Sequence, residues 1–119
     1  MMSDPWPEEL RLLEAGAKLE VVFDNGEHFA YPAEYLRVES PSAEVKGHAP
    51  DQAVTVPGKR HVRIKQLMPV GNYAVRIVFD DGHDTGLFTW PYLIKLGRDQ
   101  ERLWADYLAA LKSKGLSRG

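Results

Sequence analysis

The sequence has no cysteine, almost no net charge and no long apolar run, and each absence removes a class of protein. Without cysteine, the chain cannot form disulfides, thiolate metal sites, cysteine-ligated iron–sulfur clusters or a cysteine nucleophile. The formal net charge of -2 gives no general attraction to nucleic acid or to a membrane surface, so we predict neither as a partner. No stretch approaches the roughly 18 apolar residues of a membrane span. Residues 1–9 are acidic and proline-containing, unlike a signal peptide, and a cytoplasmic location is the default expectation.

The length of 119 residues favours a single domain with a modest core. Hydrophobic residues make up 44% of the chain and charged residues 27%, as expected of a folded globular protein. We expect a monomer or a weak homodimer.

The clearest pattern lies in residues 71–90. Val75, Ile77 and Phe79 alternate with more polar positions, which is typical of a strand with one buried face. Asp81-Gly82 predicts a two-residue hairpin turn, because glycine tolerates the positive φ that such a turn needs. A second strand should follow, and then a short helix over residues 89–96 that is capped by Thr89 and ended by Gly97.

A similar unit occurs earlier in the chain. Leu19, Val21 and Phe23 alternate into a predicted strand, the chain turns at residues 24–26, and residues 28–31 return before a short helix at 32–37. Phe23-Asp24-Asn25-Gly26 corresponds to Phe79-Asp80-Asp81-Gly82, and Tyr35-Leu36 corresponds to Tyr92-Leu93. We therefore predict a hairpin-plus-helix repeat, since one hairpin with one helical turn cannot bury enough apolar surface alone.

The remaining segments complete a small α+β domain of antiparallel hairpins, short helices and a C-terminal amphipathic helix. Residues 1–18 are either an arm pinned by Trp6 or a short helix from Pro7 to Ala15, and residues 19–97 form the domain itself. Residues 39–60 are predicted to be a long loop, with a short strand at 53–56. Residues 61–67 form a strand, and residues 68–72 link it to the next one.

Residues 98–119 are predicted to carry the C-terminal helix and tail. Asp99 is expected to cap this helix, which should run to about Lys114. Leu103, Tyr107 and Leu111 form one apolar stripe along it. The stripe is expected to cover a face of the sheet.

Several side chains could carry chemistry, and each also has a simpler structural interpretation. His83 lies between Asp81 and Asp84, so it could act as a base or a metal ligand, or it could be a turn histidine bonded to a carboxylate. Ser40 and Ser42 lack a nucleophile-elbow pattern and fit turn chemistry better. Four loop residues could supply metal ligands, although their spacing matches no standard zinc or calcium pattern: Glu39, Glu44, His48 and Asp51.

A basic run lies in the strand that begins at residue 61 and just before it. With Tyr73 it could bind phosphate or nucleic acid, but we favour a solvated strand face whose charges oppose aggregation. Its members are Lys59, Arg60, His61, Arg63 and Lys65.

Four segments resemble the gamma-butyrobetaine hydroxylase-like N-terminal domain family: residues 31–37 (YPAEYLR), 40–45 (SPSAEV), 71–75 (GNYAV) and 81–83 (DGH). The resemblance covers roughly Leu19 to Gly97 and implies a small α+β domain of largely unknown function. The amino-acid sequence of residues 40–48 resembles that of members of the family's bacterial stand-alone branch.

The resemblance also implies a zinc position. In the eukaryotic hydroxylases of the family, three cysteines and one histidine hold a structural zinc, and the matching positions here are Ser40, Ser42, Val45 and His83. Only the histidine is retained, so we expect no bound zinc and no other cofactor. The oxygenase domain of those hydroxylases is missing, so hydroxylase activity is not expected. Fusion of other relatives to P-loop iron–sulfur scaffold proteins suggests an accessory role near cluster assembly.

Three functional hypotheses remain open. The first is a non-catalytic module that docks a protein partner through Ser40, Ser42, Glu44, His48 and His83. The second is metal handling or an accessory role in iron–sulfur cluster assembly, with zinc or iron held by His83 together with His48 or Glu44. The third is a small enzyme that uses His83 as a base.

Overall fold

Residues 5–41 and 55–119 are described by the computed structural model, and they form an α+β fold of two antiparallel sheets and three helices. The first sheet has the order β1-β2-β3 and the second the order β4-β5-β6. The strands are β1 (Pro7–Leu13), β2 (Lys18–Phe23), β3 (His28–Pro32), β4 (Ile64–Val70), β5 (Ala74–Phe79) and β6 (Leu87–Thr89). The helices are α1 (Ala33–Val38), α2 (Trp90–Arg98) and α3 (Gln100–Ser113).

Strand β1 corrects both predictions for the N-terminal segment, which is neither a loose arm nor a helix. It pairs with β2 in antiparallel register, from Leu13 opposite Lys18 to Pro7 opposite Phe23. Its composition favours a helix, but pairing with a neighbouring strand outweighs a helix preference of a few tenths of a kcal/mol per residue. Backbone with positive φ at residues 14–16 then turns the chain into β2.

The two hairpin turns share one geometry, and it differs from the predicted two-residue turn. Phe79 N donates to His83 O at 3.0 Å, and Gly82 N donates to Phe79 O at 3.3 Å. The loop therefore contains three residues and ends on Gly82, whose φ is 91°. A three-residue loop of this type places its last residue in the left-handed region, which favours glycine. The turn after β2 has the same two hydrogen bonds, at 2.8 and 3.1 Å, and ends on Gly26 with a φ of 89°.

The predicted repeat is present and is longer than the sequence suggested. Each half, residues 6–40 and 63–97, contains three antiparallel strands followed by a helix. Equivalent register shifts occur in β1 and β4. The residue before each first strand exchanges the same pair of hydrogen bonds with the aspartate of the following turn: Trp6 with Asp24, and Arg63 with Asp80.

The inward faces of both sheets and the buried faces of α1 and α2 form one apolar cluster. Val75, Ile77 and Phe79 are 0–1% exposed, as their alternation predicted. Val62 and Ile64 are also buried, as predicted. Strand β4 begins at Ile64 rather than at the predicted residue 61, and it continues to Val70, through three residues predicted to be part of a link. Pro69 is tolerated there because β4 is an edge strand.

Helix α2 begins as predicted, since the Thr89 hydroxyl accepts a hydrogen bond from Tyr92 N at 3.3 Å. It ends later than predicted, so Gly97 lies inside it. A Cβ atom on Gly97 would lie 2.4 Å from the Phe29 ring, which explains a glycine within the helix.

Helix α3 is present, but its packing differs from the prediction. Asp99 precedes it without a side-chain capping bond, and the Asp99 carboxylate instead contacts Arg102 at 3.1 Å. Tyr107 and Leu111 pack against Val38 of α1 rather than covering a sheet. The Trp104 ring lies edge-on to Tyr35 of α1, with 6.3 Å between centroids.

Two further expectations fall largely outside the described residues. The long loop and most of its short strand lie in residues 42–54, while Thr55 and Val56 are not in a strand. The division of the chain at residues 18 and 97 stays a prediction. Among residues 5–41 and 55–119, no helix combines the length and apolar character needed to cross a bilayer.

Candidate functional site

Ser40 and His83 lie in direct contact, although 43 residues separate them in the chain. Ser40 Oγ is 2.9 Å from His83 Nε2. Ser40 follows α1, where its backbone N–H donates to Arg37 O at 3.4 Å. His83 is placed by the β5–β6 turn described above. Ser40 is 0% exposed and His83 5% exposed, so this contact is part of the interior.

Gly86 makes room for this contact. A Cβ atom on Gly86 would lie 2.2 Å from Ser40 Oγ, which is closer than real Cβ contacts allow. The equivalent approach in the other half joins Gly97 of α2 to the ring of Phe29. In both halves, the end of one helix therefore packs against the last strand of the opposite half, with a glycine on one side of each contact.

Asp81, next to His83, receives three hydrogen bonds. Arg37 Nε and Lys59 Nζ reach Oδ2 of Asp81 at 2.8 and 2.7 Å, and the backbone N–H of His83 donates to Oδ1 at 3.1 Å. The Asp81 side chain is 18% exposed, and that of Arg37 is 4% exposed. Burial alone would raise the pKa of Asp81, but the bonds from Lys59, Arg37 and the His83 amide together lower that pKa to about 2. Asp81 is therefore an ionised structural anchor at neutral pH.

The segment that carries Lys59 is held by the C-terminal tail. Gly58 N donates to Ser117 O and Arg60 N donates to Arg118 O, both at 2.9 Å. The Arg118 guanidinium forms two hydrogen bonds with the carboxylate of Glu34, at 2.9 and 2.7 Å, and Glu34 is only 6% exposed. The tail thus positions the cation that reaches Asp81.

Sequence reasoning missed the roles of Arg37, Lys59 and Asp81. Arg37 was noted only as part of a helical segment, and Lys59 only as one member of a basic run. A single arginine in the otherwise apolar end of α1 was the available signal, because a buried guanidinium requires an anionic or carbonyl partner. Its partner could not be identified, because 44 residues separate Arg37 from Asp81.

Of the five predicted binding residues, the structure brings Ser40 and His83 together. Ser42, Glu44 and His48 lie outside the described residues. The two predicted segments therefore meet at Ser40 and His83. A binding role for these five residues stays a prediction.

The donor atoms at the described positions do not fit the family's zinc ligands. One hydroxyl and one imidazole meet at Ser40 and His83, whereas zinc sites in proteins use thiolate, imidazole and carboxylate donors. Across residues 5–41 and 55–119, no three His, Asp or Glu side chains are grouped closely enough to hold a metal ion.

A serine hydroxyl 2.9 Å from an imidazole nitrogen is also the distance expected of a nucleophile and its base. Both groups are buried, however, and a substrate carbonyl could reach the hydroxyl only after the helix end and the hairpin separated. The nearby depression of about 280 Å³ is lined by Gly58, Lys59, His61, Val62, Asp80 and Asp81. It therefore opens beside the Asp81 anchor.

Comparison with solved structures gives close matches over most of the chain. Two solution structures determined by NMR align with a TM-score of 0.83 each; one is 45% identical over 98% of this chain and 91% of that chain, and the other 47% identical over 99% and 90%. A crystal structure of a protein of unknown function from Acidithiobacillus ferrooxidans, assigned to the DUF971 family, has a TM-score of 0.66. It is 41% identical over 80% of this chain and 98% of that chain.

No curated protein matches the sequence. The family model described as gamma-butyrobetaine hydroxylase-like, N-terminal matches residues 10–94, which is most of the chain. The protein in the crystal structure above belongs to a family of unknown function, so this match assigns no catalytic activity. The chain belongs to the gamma-butyrobetaine hydroxylase-like, N-terminal family.

Proposed function

We propose that this protein is a non-catalytic module that docks a protein partner through the β5–β6 hairpin and the segment after α1. The observation that carries the proposal is the buried contact between Ser40 and His83. This contact places the β5–β6 hairpin next to the segment after α1. The Ser40 hydroxyl and the His83 imidazole, which would otherwise be candidates for catalysis, are buried in the contact.

Among the described residues of this surface, those of the hairpin turn are exposed. Its backbone is held by hydrogen bonds at Phe79 and Gly82, and its acidic side chain Asp81 is held by Arg37 and Lys59. Asp84, next in the chain after buried His83, is exposed. A turn that is rigid before it binds loses little conformational freedom on binding, which favours recognition.

A charge reversal at the hairpin tests the proposal. Asp84→Lys changes an exposed side chain, so the fold should be kept. Asp106→Lys on α3 is the matched control, since its side chain is 67% exposed and lies on another element. A partner identified with the wild-type chain and then purified should bind Asp84→Lys at least about tenfold more weakly and Asp106→Lys unchanged. Equal affinity for all three proteins would mean that the hairpin is not the docking surface.

The metal-handling alternative is tested separately. His83 with Glu44 or His48 would then retain zinc or iron in protein purified without a histidine tag. Near-stoichiometric metal that is lost in His83→Ala and kept in His28→Ala would favour this alternative; His28 is the matched control because its side chain is 54% exposed and pairs with Glu20. Metal-free, folded protein would count against it.

A further inference from the structure

The centre of the outer face of the second sheet combines one arginine with apolar side chains. Because Val75, Ile77 and Phe79 of β5 point into the core, the alternate residues Arg76 and Val78 point to the opposite face. Met68 of β4 and Leu87 of β6 lie on either side of Arg76 in the strand register. Leu87 is 39% exposed.

The first sheet provides the comparison, because the internal repeat places an equivalent residue at each of these positions. There, Arg11 of β1 and Ala30 of β3 lie on either side of Glu20 of β2. Glu20 is paired with Arg11 at 3.6 Å and with His28 at 3.0 Å. The equivalents of Glu20, Arg11 and Ala30 on the second sheet are therefore Arg76, Met68 and Leu87. The outer face of the first sheet carries an ion-pair network suited to water. On the outer face of the second sheet, Arg76 is flanked in register by the apolar side chains of Met68 and Leu87, and the neutral Gln66 lies opposite Val78.

Within the part of the chain that the structure describes, no carboxylate pairs with Arg76. Arg76 Nη2 has a sulfur contact, with Met68 Sδ at 3.0 Å, and sulfur is a weak acceptor. Arg76 Nε is buried and finds no acceptor among residues 5–41 and 55–119. A guanidinium is always charged at physiological pH, and a buried N–H without an acceptor is unfavourable. A carboxylate placed over this face would provide the Arg76 guanidinium with an oppositely charged acceptor.

We propose that the outer face of the second sheet is a docking surface for a protein segment that presents one carboxylate between apolar side chains. The carboxylate would pair with Arg76, and the flanking side chains would cover Met68, Val78 and Leu87. Charge complementarity selects an acidic group at the centre, and the apolar surroundings select aliphatic or aromatic neighbours. This surface uses none of the residues of the hairpin site, so either proposal can fail while the other holds.

Selection from a phage-displayed library of random 12-residue peptides, with the intact chain as bait, tests this proposal. The selected peptides should share an Asp or Glu flanked by apolar residues. In NMR titrations, a synthetic peptide should perturb the Met68 and Leu87 methyl signals and the Arg76 Nε–H signal. Replacing its acidic residue by the matching amide should weaken binding at least tenfold.

Protein variants locate the contact. Arg76→Met should weaken binding at least tenfold, and it should fold well because it removes a cation that has no carboxylate partner among the described residues. Leu87→Gln should weaken binding through an exposed position. Glu20→Met, at the equivalent position of the first sheet, should bind as the wild-type chain does.

Three outcomes would overturn the proposal. One is a selection that yields no peptide, or only peptides whose NMR footprint lies elsewhere. Another is equal binding to wild-type chain and Arg76→Met. The third is a dimer in sedimentation experiments that Leu87→Gln dissociates, because a second copy of the chain would then be the occupant.

Discussion

At the residue scale, Asp81 links three parts of the chain that are distant in sequence. Its carboxylate joins the end of α1 through Arg37, the segment before β4 through Lys59 and its own turn through the His83 amide. Arg37 is 3% exposed, and this carboxylate supplies a negative charge 2.8 Å from its Nε. The equivalent turn position in the first half is Asn25, which bears no charge. At this turn position, the second half therefore carries a charged side chain and the first half a neutral one.

Asp81→Asn should lower the free energy of unfolding by about 1–3 kcal/mol, between the values typical of exposed and of buried ion pairs. Asparagine keeps an oxygen for the His83 amide, so the change isolates the charge. Urea unfolding at neutral pH measures the effect, with Asp84→Asn as an exposed control. A loss below about 0.5 kcal/mol would show that Arg37 and Lys59 are satisfied without this carboxylate.

The same variant should change how stability depends on pH. The pKa of Asp81 is about 2 in the folded chain and near 3.8 when unperturbed. Because the pKa of Asp81 is lower in the folded chain, the ionised carboxylate stabilises the folded state fully at pH values above its pKa in the unfolded chain. This stabilisation is lost as the pH falls through the pKa of Asp81 in the folded chain. Between these two values, wild-type stability should therefore fall more steeply than that of Asp81→Asn. Parallel curves of unfolding free energy against pH would contradict the assignment.

At the element scale, each helix is tied to the end of the helix in the opposite half. Tyr35 OH of α1 donates to Leu96 O of α2 at 2.7 Å, and Tyr92 OH of α2 donates to Glu39 O just after α1 at 2.6 Å. The two hydrogen bonds are equivalent, because Tyr35 and Tyr92 occupy matching positions in the two halves of the repeat. They satisfy carbonyl groups near helix ends, which have no partner within the helix. Burial raises the pKa of the Tyr35 hydroxyl, so it remains a donor at physiological pH.

Tyr35→Phe should reduce stability by about 1–3 kcal/mol, since it leaves the buried Leu96 carbonyl without its donor. Tyr73→Phe is the matched control, because Tyr73 is 53% exposed and its loss of a hydroxyl should cost little. Chemical denaturation of the two variants provides the comparison. Equal stability of both would mean that water or another group replaces the tyrosine hydroxyl.

Gly97→Ala should destabilise the protein by about 1–3 kcal/mol, although the same change inside an exposed helix normally stabilises. The added methyl group would lie 2.4–2.7 Å from the Phe29 ring. Thermal or urea unfolding measures whether Gly97→Ala lowers or raises the stability of the protein. The loss should be smaller in a Phe29→Leu background, and an equal loss in both backgrounds would assign the effect to something other than this contact.

The elements that sequence reasoning located are those with local signals. Alternation at Val75, Ile77 and Phe79 and the glycines at 26 and 82 marked two hairpins, and the matching Phe-Asp-x-Gly segments marked the repeat. Strand β1 was missed because its residues favour a helix and only pairing with β2 makes it a strand. The contact of Ser40 with His83 was anticipated through the family resemblance. The pairing of Arg37 with Asp81 depends on tertiary contact alone, so the sequence pattern carried no sign of it.

At the scale of the whole molecule, neither half buries its apolar face alone. One apolar cluster includes the inward residues of both sheets, and hydrogen bonds from Tyr31 and Tyr35 cross between halves. Such interdependence makes separate unfolding of one half unfavourable. A chain of 119 residues with one shared core is expected to unfold cooperatively.

Urea unfolding should therefore show a single transition. Tryptophan fluorescence reports on Trp104 of α3 and on Trp6 and Trp90, whose rings lie edge to face with 6.2 Å between centroids. Far-ultraviolet circular dichroism reports on the backbone. The two curves should coincide in midpoint and slope. Separate midpoints would show that part of the fold, such as α3, unfolds independently of the shared core.

The two matching turns also give the molecule an internal standard for spectroscopy. Gly26 and Gly82 have nearly equal φ angles and donate the same hydrogen bond, but the cations beside the two turns differ. Arg98 pairs with Glu27 at the first turn, whereas Arg37 and Lys59 pair with Asp81 at the second. Their amide exchange rates can be read in one spectrum, at one temperature and one pH. The ratio of the two rates then compares the restraint by Arg37 and Lys59 on the second turn with that by Arg98 on the first, without reference to any second protein.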